Sequence, residues 1–264
     1  MKKLVVALTA LAAFTGSALA ADLAPRPYAK APAPMPVAPS WTGFYIFGGA
    51  GGGIWDADDY HYNNITGAPF AVNQRLGGDG WFGTVGAGYD WQFSSSWVGG
   101  IFADGQFGSL KGSISGGFAG LGITGTEKLQ DTWAVGGRLG YLIAPNVLSY
   151  VNGGYTESYW SGSQLAPING SSGPTASTPS FHRGGWFVGG GVENNLNIFG
   201  ISAPGWFMKT EYRAAYFGTQ NLVETSIATG LPSIVTISYK PFVETISTSL
   251  VYRFNWTGPV VAKY

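Results

Sequence analysis

Eight charged side chains stand out because they occupy alternate positions in segments that are otherwise aromatic and glycine-rich. Alternate positions of an extended chain lie on one face of a β-strand. Four of these side chains are acidic and four are basic, so they can pair if the strands bring them together in a confined interior. The set therefore predicts an ion-paired network. Its members are Asp90, Asp104, Arg138, Glu193, Lys209, Glu211, Arg213 and Arg253.

The first histidine, His61, lies beside the aspartates at positions 56, 58 and 59. Imidazole and carboxylate groups could bind calcium or another divalent metal, but this spacing matches no known calcium-loop motif. A run of charge in a loop is more often simply hydrated. We therefore expect the region around His61 to be a solvated loop, and we predict no metal site.

Other residues that could carry out chemistry form weaker patterns. His182 follows Ser180 by two positions, but a hydrolytic pair needs a geometry that proximity in sequence does not supply. The glycine clusters at 48–53 and 189–191 lack the Gly-Lys-Ser/Thr sequence of a phosphate-binding loop. The chain has no cysteine, which excludes disulfides, thiolate metal sites and catalytic thiols. We predict no catalytic residue and no cofactor.

The segment 244–254 shows which elements position the charged residues. Its residues alternate with a period of two, which predicts a strand with one apolar and one polar face. A soluble sandwich would bury the apolar face, whereas a membrane barrel would turn it outward to lipid. One face carries Ile246, Thr248, Leu250, Tyr252 and Phe254, and the other carries Thr245, Ser247, Ser249, Val251 and Arg253.

The composition favours the membrane barrel. Only 11% of residues are charged, against roughly 25% in an ordinary soluble domain. Aromatic residues make up 15% and there are 42 glycines, yet no run of 18 apolar residues follows the N-terminal leader. This combination disfavours transmembrane helices and fits strands whose apolar residues are spread over alternate positions. The zero net charge gives no indication of nucleic-acid binding.

The connections between strands alternate in length, as they do in membrane barrels with short periplasmic turns and long external loops. The short connections are 94–95, 144–146 and 198–204, and the long ones are 56–79, 109–128, 161–182 and 218–243. Residues 41–254 therefore predict an all-β fold, an eight-stranded antiparallel up-and-down transmembrane β-barrel. We expect strands near 44–55, 80–93, 96–108, 129–143, 147–160, 183–197, 205–217 and 244–254.

The two faces of these strands have opposite roles in such a barrel. A basic side chain that faced lipid at mid-depth would cost ~2–4 kcal/mol, so the charged set belongs in the lumen. An eight-stranded barrel is just wide enough for side chains to fill it, which predicts a plugged lumen. Aromatic rings near strand ends suit the lipid–water boundary, although ordinary core packing is the alternative. This boundary set is Trp81, Trp91, Trp97, Trp133, Trp186, Trp206 and Phe254, with Trp55 and Trp160 also expected there.

Both termini differ from the barrel in composition. Residues 1–20 have the charged, apolar and small-residue regions of a secretory signal peptide, and the apolar region is too short to span a membrane. Residues 21–40 are rich in proline and alanine, which predicts an extended periplasmic arm. Residues 255–264 are expected to form a short tail after Phe254, because Pro259 opposes further strand pairing. Tyr264 as the terminal aromatic of the barrel is the alternative.

Four short motifs follow one another along the chain. They are Trp41-Thr42-Gly43-Phe44-Tyr45, Gly88-Tyr89-Asp90-Trp91-Gln92, Glu211-Tyr212-Arg213 and Tyr252-Arg253-Phe254. In this order they resemble those of the small OmpA-like outer-membrane β-barrel proteins of Gram-negative bacteria, often labelled porin-family or surface-antigen proteins. The resemblance covers essentially all of residues 1–254. It implies location in the outer membrane, insertion by the barrel-assembly machinery and contact with lipopolysaccharide, but no single biochemical activity.

We therefore expect a non-enzymatic outer-membrane protein with a structural or surface role, a monomer with both mature termini in the periplasm. An oligomer stays open. A narrow low-conductance porin and a lipid-A-modifying hydrolase that uses His182 are the alternatives within the membrane. A secreted lipocalin-like carrier is the soluble alternative, and it would need an apolar cavity where the sequence predicts charges.

Overall fold

The computed structural model describes residues 40–71, 73–118, 121–170, 173–198 and 201–254. The predicted signal peptide, the predicted C-terminal tail and nearly all of the proline-rich arm lie outside the described residues. Eleven strands form within them. These are β1 Gly43–Asn63, β2 Gln74–Gln92, β3 Trp97–Phe118, β4 Leu121–Ala144, β5 Val147–Trp160, β6 Gln164–Pro167, β7 Ala176–Ser177, β8 Phe181–Ile198, β9 Ile201–Phe217, β10 Gln220–Ser226 and β11 Pro232–Arg253.

The eight long strands close into an antiparallel barrel. They pair in the order β1-β2-β3-β4-β5-β8-β9-β11, and β11 pairs back onto β1. The closing pair keeps one continuous register from Tyr45 opposite Arg253 to Asn63 opposite Val235. The predicted eight-stranded up-and-down barrel is thus confirmed. We refer to the end with the connections after β2, β4 and β8 as the turn end, and to the opposite end as the loop end.

The strands extend further at the loop end than the sequence suggested. Most of the predicted loop 109–128 is strand, since β3 continues to Phe118 and β4 begins at Leu121. The predicted loop 161–182 contains β6 and β7, and the predicted loop 218–243 contains β10 and the first part of β11. The prediction that these three segments are loops was wrong. Strand pairing continues beyond the point where the outward-facing residues cease to be apolar.

Three short strands complete the wall at the loop end. The strand β6 pairs with β4 and β7, and β10 pairs with β7 and β11. They therefore take the place of β5, β8 and β9, which do not extend as far towards the loop end. The wall at the loop end consists of β1, β2, β3, β4, β6, β7, β10 and β11.

The direction of the apolar face reverses along the barrel. Towards the turn end, apolar side chains such as Ile101, Val151 and Leu250 are exposed on the outer surface. At the loop end Ile114 and Ile237 are buried inside, whereas the charged side chains of the same strands, such as Lys240, face outward. The first arrangement suits a surrounding hydrocarbon and the second suits surrounding water.

All seven aromatic residues of the predicted boundary set lie on the outer surface, with exposures from 40% for Trp206 to 79% for Trp81. Trp55 and Trp160 do not, because they are 2% and 0% exposed inside the barrel. Their assignment to the outer boundary was wrong. The strand alternation places Trp55 on the same face as Tyr45 and Phe47, which also point inward.

Within the described residues, the structure has no helix that is long and apolar enough to cross a membrane.

Candidate functional site

The lumen near the turn end holds a closed network of two acids and two bases. Arg138 pairs with Asp90 through Nε and Oδ1 at 2.9 Å and with Glu193 through Nη1 and Oε2 at 3.0 Å. Arg253 pairs with the same two acids, at 2.8 Å from its Nε to Glu193 and 2.8 Å from its Nη2 to Asp90. All four side chains are at most 4% exposed. We call these residues the four-charge ring.

The other four predicted charges form a second cluster nearer the middle of the barrel. Arg213 makes a two-pronged contact with Asp104 at 3.0 and 2.7 Å and a further contact with Glu211 at 2.8 Å. Lys209 Nζ lies 3.7 Å from Glu211, whose other contact is a hydrogen bond donated by the Tyr150 hydroxyl at 2.8 Å. The structure thus brings all eight predicted residues into the lumen, in two groups without net charge.

Each of the four cations also lies against an aromatic ring. Arg138 lies 4.4 Å from the centroid of the Tyr45 ring, and Arg253 lies 4.4 Å from that of Trp41. Lys209 lies 3.4 Å from the Phe47 ring, and Arg213 lies 4.4 Å from the Phe187 ring. Such contacts add attraction between cation and ring in a desolvated interior. The lumen is therefore packed with side chains around its ion pairs.

These rings and Tyr150 were not predicted from the sequence. The strands β1 and β5 contain so much glycine that neither face could be assigned from the sequence. The usable signal was strand pairing: Tyr45 lies opposite Arg253, and Tyr150 lies opposite Gly191, in a strand whose inward face was already marked by Glu193.

Two glycines on the inner wall make room for this network. A Cβ atom on Gly100 would overlap the Asp90 carboxylate, and one on Gly88 would overlap the Tyr45 hydroxyl. Both positions therefore allow a neighbouring polar group to lie against the backbone. At these two positions glycine lets a neighbouring side chain approach the backbone closely, as expected where a small barrel is narrow.

An aromatic layer lies in the lumen on the loop-end side of the second cluster. Trp55 and Trp160 meet edge to face at 5.3 Å between ring centroids, and Tyr239 contacts both rings. Phe181 stacks on Trp160 at 6.0 Å. Two small cavities near this level, beside Gln106 and Thr245, have volumes of about 10 Å³ each. A space of that size holds about one water molecule.

The first histidine lies inside the barrel, so the expected solvated loop at His61 was wrong. His61 is 4% exposed on β1, with Nε2 at 3.2 Å from Asp59 and Nδ1 at 3.7 Å from Glu224 of β10. Gly116 leaves space for the imidazole ring, which a Cβ atom there would overlap. The alternation of β1 continues beyond Trp55, and that continuation turns Asp59 and His61 inward. In the described part of the chain, no cluster of three metal-ligating residues is present.

A second buried acid, Glu127, lies at the same end. It is fully buried, and its Oε2 accepts a hydrogen bond from the Ser163 hydroxyl at 2.8 Å. Burial raises the pKa of Glu127 to about 7, against the smaller lowering effect of the Ser163 hydrogen bond. The charge of Glu127 therefore changes near neutral pH.

The second histidine lies on the outer wall. The His182 side chain is 64% exposed, with Nδ1 at 3.5 Å from Glu157, and its ring stacks on Tyr159 at 4.6 Å. It stands four positions beyond Trp186 of the boundary set, towards the loop end.

Comparison with known proteins identifies the family. No protein-family model matches the chain. Two curated relatives are the 31 kDa outer-membrane immunogenic proteins of Brucella melitensis and Brucella suis. Each is 30% identical over 227 residues, which cover 85% of this chain and 90% of the relative. The chain belongs to the family of these 31 kDa outer-membrane immunogenic proteins.

This family membership locates the chain in the outer membrane and confirms the resemblance to small outer-membrane barrels. A solved structure with the same fold is the outer-membrane protein OprG from Pseudomonas aeruginosa. It matches with a TM-score of 0.50 and 13% identity, over 80% of this chain and 97% of OprG. At 13% identity the match to OprG supports the fold of this chain and says nothing about the activity of this chain.

Proposed function

We propose that this chain is a closed, non-conducting barrel with a structural and surface role in the outer membrane. The observation that supports this proposal is the filling of the lumen at successive levels. The four-charge ring, the second charged cluster and the aromatic layer lie one above the other, and each joins residues from several strands. An ion would have to displace paired charges and then packed rings to pass.

The transport alternative, a narrow porin, needs a continuous aqueous path. The cavities of about 10 Å³ beside the second cluster and the aromatic layer offer space for single waters only. Breaking an ion pair in a dry interior would leave an unpaired charge, which costs ~3–5 kcal/mol. These features favour the closed barrel. The secreted carrier is excluded by family membership and by the charged lumen.

A planar-bilayer recording tests the closed lumen. The purified, refolded chain is expected to give no stable conductance steps, since its lumen is packed. The triple variant Arg138→Ala, Arg213→Ala and Trp160→Ala removes one side chain from each of the three levels, and we expect it to give discrete ion-conducting events. Arg75→Ala with Trp133→Ala removes the same residue types from the outer wall and is the matched control. Steady conductance by the unmodified chain would contradict the proposal.

The same proposal assigns no enzymatic activity to the chain. A hydrolase acting on lipid would use His182 with a serine, but the imidazole of His182 contacts Glu157 and the Tyr159 ring. We expect lipid A extracted from cells that express the chain to have the same mass spectrum as lipid A from cells with the His182→Ala variant. A loss of acyl chains that depends on His182 would favour the hydrolase.

The proposal also covers orientation and partners. Short turns face the periplasm in barrels of this class, which would place the turn end and both mature termini there. Lipopolysaccharide would contact the outer surface near the loop end, and the barrel-assembly machinery would insert the chain. We propose a monomer, because within the described residues the lumen network is complete in a single chain.

A further inference from the structure

A cavity opens at the loop end above the aromatic layer. Its volume is about 360 Å³, and it extends between β1, β3, β4, β10 and β11. Most of the wall is apolar, and the polar part includes His61 and Glu224. The apolar lining residues are Phe70, Ala71, Ile123, Pro167 and Val235.

Glu224 is a buried acid that contacts neither lysine nor arginine among the described residues. It is 5% exposed and its Oε1 atom has no hydrogen-bond partner. In the same part of the chain its one ion-pair contact is with His61 Nδ1, at 3.7 Å. His61 Nε2 faces Asp59, so the imidazole is shared between two acids. Among the described residues that line the cavity there is neither lysine nor arginine.

This arrangement differs from the charged lumen below it. In the four-charge ring each acid contacts two arginines. At the loop end two acids, Asp59 and Glu224, contact one imidazole, that of His61. Burial raises the pKa of Glu224, with the nearby Asp59 acting in the same direction and His61 opposing. A positively charged group in the cavity would supply the missing partner of a desolvated carboxylate.

We propose that this cavity binds a small organic ammonium compound, with the ammonium group at Glu224 and a compact apolar body against Ile123 and Val235. The volume admits a ligand of about the size of a phenyl ring with a short chain, since ligand pockets begin at roughly 300 Å³. A metal ion fits less well, because the two acids contact different nitrogens of His61 and most of the remaining wall is apolar.

The test is a methyl NMR titration of the full mature chain in lipid nanodiscs, with 2-phenylethylamine as the probe. The Ile123 methyl groups lie in the cavity wall, so their signals report binding at this site rather than partition into lipid. We expect saturable shifts with the amine. The neutral analogue 2-phenylethanol should bind about tenfold more weakly or worse, because it cannot form the charged hydrogen bond.

Two variants sharpen the result. Glu224→Gln keeps the shape of the side chain and removes its charge, and it should weaken amine binding by about tenfold or more. Glu157→Gln removes an acid from the outer wall and should leave the titration unchanged. Equal binding of amine and alcohol, an unchanged affinity in Glu224→Gln, or no saturable shift at millimolar amine would each overturn the proposal. If Glu224→Gln does not fold, the comparison of amine with alcohol on the unmodified chain decides.

Discussion

Each acid of the four-charge ring contacts both arginines, so no single contact carries the whole network. Asp90 and Glu193 are fully buried, and Arg138 and Arg253 are nearly so. Removing charges of this kind from water is costly, and the pairing recovers that cost only when every member is present. We therefore expect the loss of one member to cost more stability than the intact ring contributes.

The first prediction concerns the loss of one arginine from this ring. Arg138→Ala should lower the free energy of unfolding by ~3–5 kcal/mol, because Asp90 and Glu193 would then share only Arg253. Urea unfolding in detergent micelles, followed by heat-modifiable gel migration, measures the change. The control is Arg75→Ala, which breaks an exposed pair with Asp56 and should cost under about 1 kcal/mol. Similar losses in the two variants would show that the ring is hydrated.

The second prediction concerns pH and Glu127. Burial raises the pKa of Glu127 in the folded chain from 4.5 to about 7. The protonated form is thus favoured by folding: its stabilising contribution is complete below about pH 4.5 and is lost as pH rises through 7. A shift of this size corresponds to about 3 kcal/mol. Glu127→Gln should therefore stabilise the loop end above pH 7 and have little effect near pH 4.

Hydrogen exchange of the amides around Thr126 and Ser163 measures that local stability. The exchange rates of Glu127→Gln and the unmodified chain should converge as pH falls, after correction for the intrinsic rate. Glu157→Gln, on the outer wall, provides the comparison. A gain in Glu127→Gln that is the same at pH 5 and pH 8 would mean that the carboxyl is hydrated.

At the scale of single residues, alternation in the sequence was sufficient for the eight charged residues of the lumen. It placed Lys209, Glu211 and Arg213 on one face, and these side chains do lie together in the lumen. Alternation could not place the partners of those charges on β1 and β5, because glycine has no side chain to mark a face. Tyr45 and Tyr150 become recognisable only when strand pairing supplies the register.

At the scale of elements, the strand ends were underestimated for a physical reason. The predicted strands are those whose apolar face is outside, and that pattern ends near the boundary aromatics. Beyond them β3 and β4 continue with Leu110, Ile114 and Leu129 buried inside, as in a water-soluble barrel. The apolar side chains thus face outward near the turn end and inward near the loop end. The backbone hydrogen bonds between strands continue from one region into the other.

The third prediction tests the independence of the two parts of the wall. Replacing residues 164–177, which carry β6 and β7, by a short Gly/Ser linker should leave the barrel folded. The eight long strands pair without β6 and β7, so heat-modifiable migration should persist. Trp160 should become more exposed to water, and its fluorescence should shift to longer wavelength. A linker variant that no longer inserts would show that the short strands are needed for closure.

At the scale of the whole molecule, the two ends of the barrel are expected to face different sides of the outer membrane. The fourth prediction concerns which end faces the cell exterior. An epitope tag inserted after Gly230, at the loop end, should be stained by antibody on intact cells. A tag inserted after Asn146, at the turn end, should be stained only after the outer membrane is permeabilised. Staining in the reverse pattern would invert the proposed orientation.

The continuity of the β1–β11 ladder has a consequence for immune recognition. Asn63 and Val235 are far apart in the chain but lie opposite each other at the loop end. An antibody that approaches this end meets a surface assembled from distant segments in fixed register. Boiling the protein would separate those segments, so an antibody selected on the folded loop end should lose most of its binding on denaturing blots, and a peptide copied from one segment would reproduce only half of such an epitope.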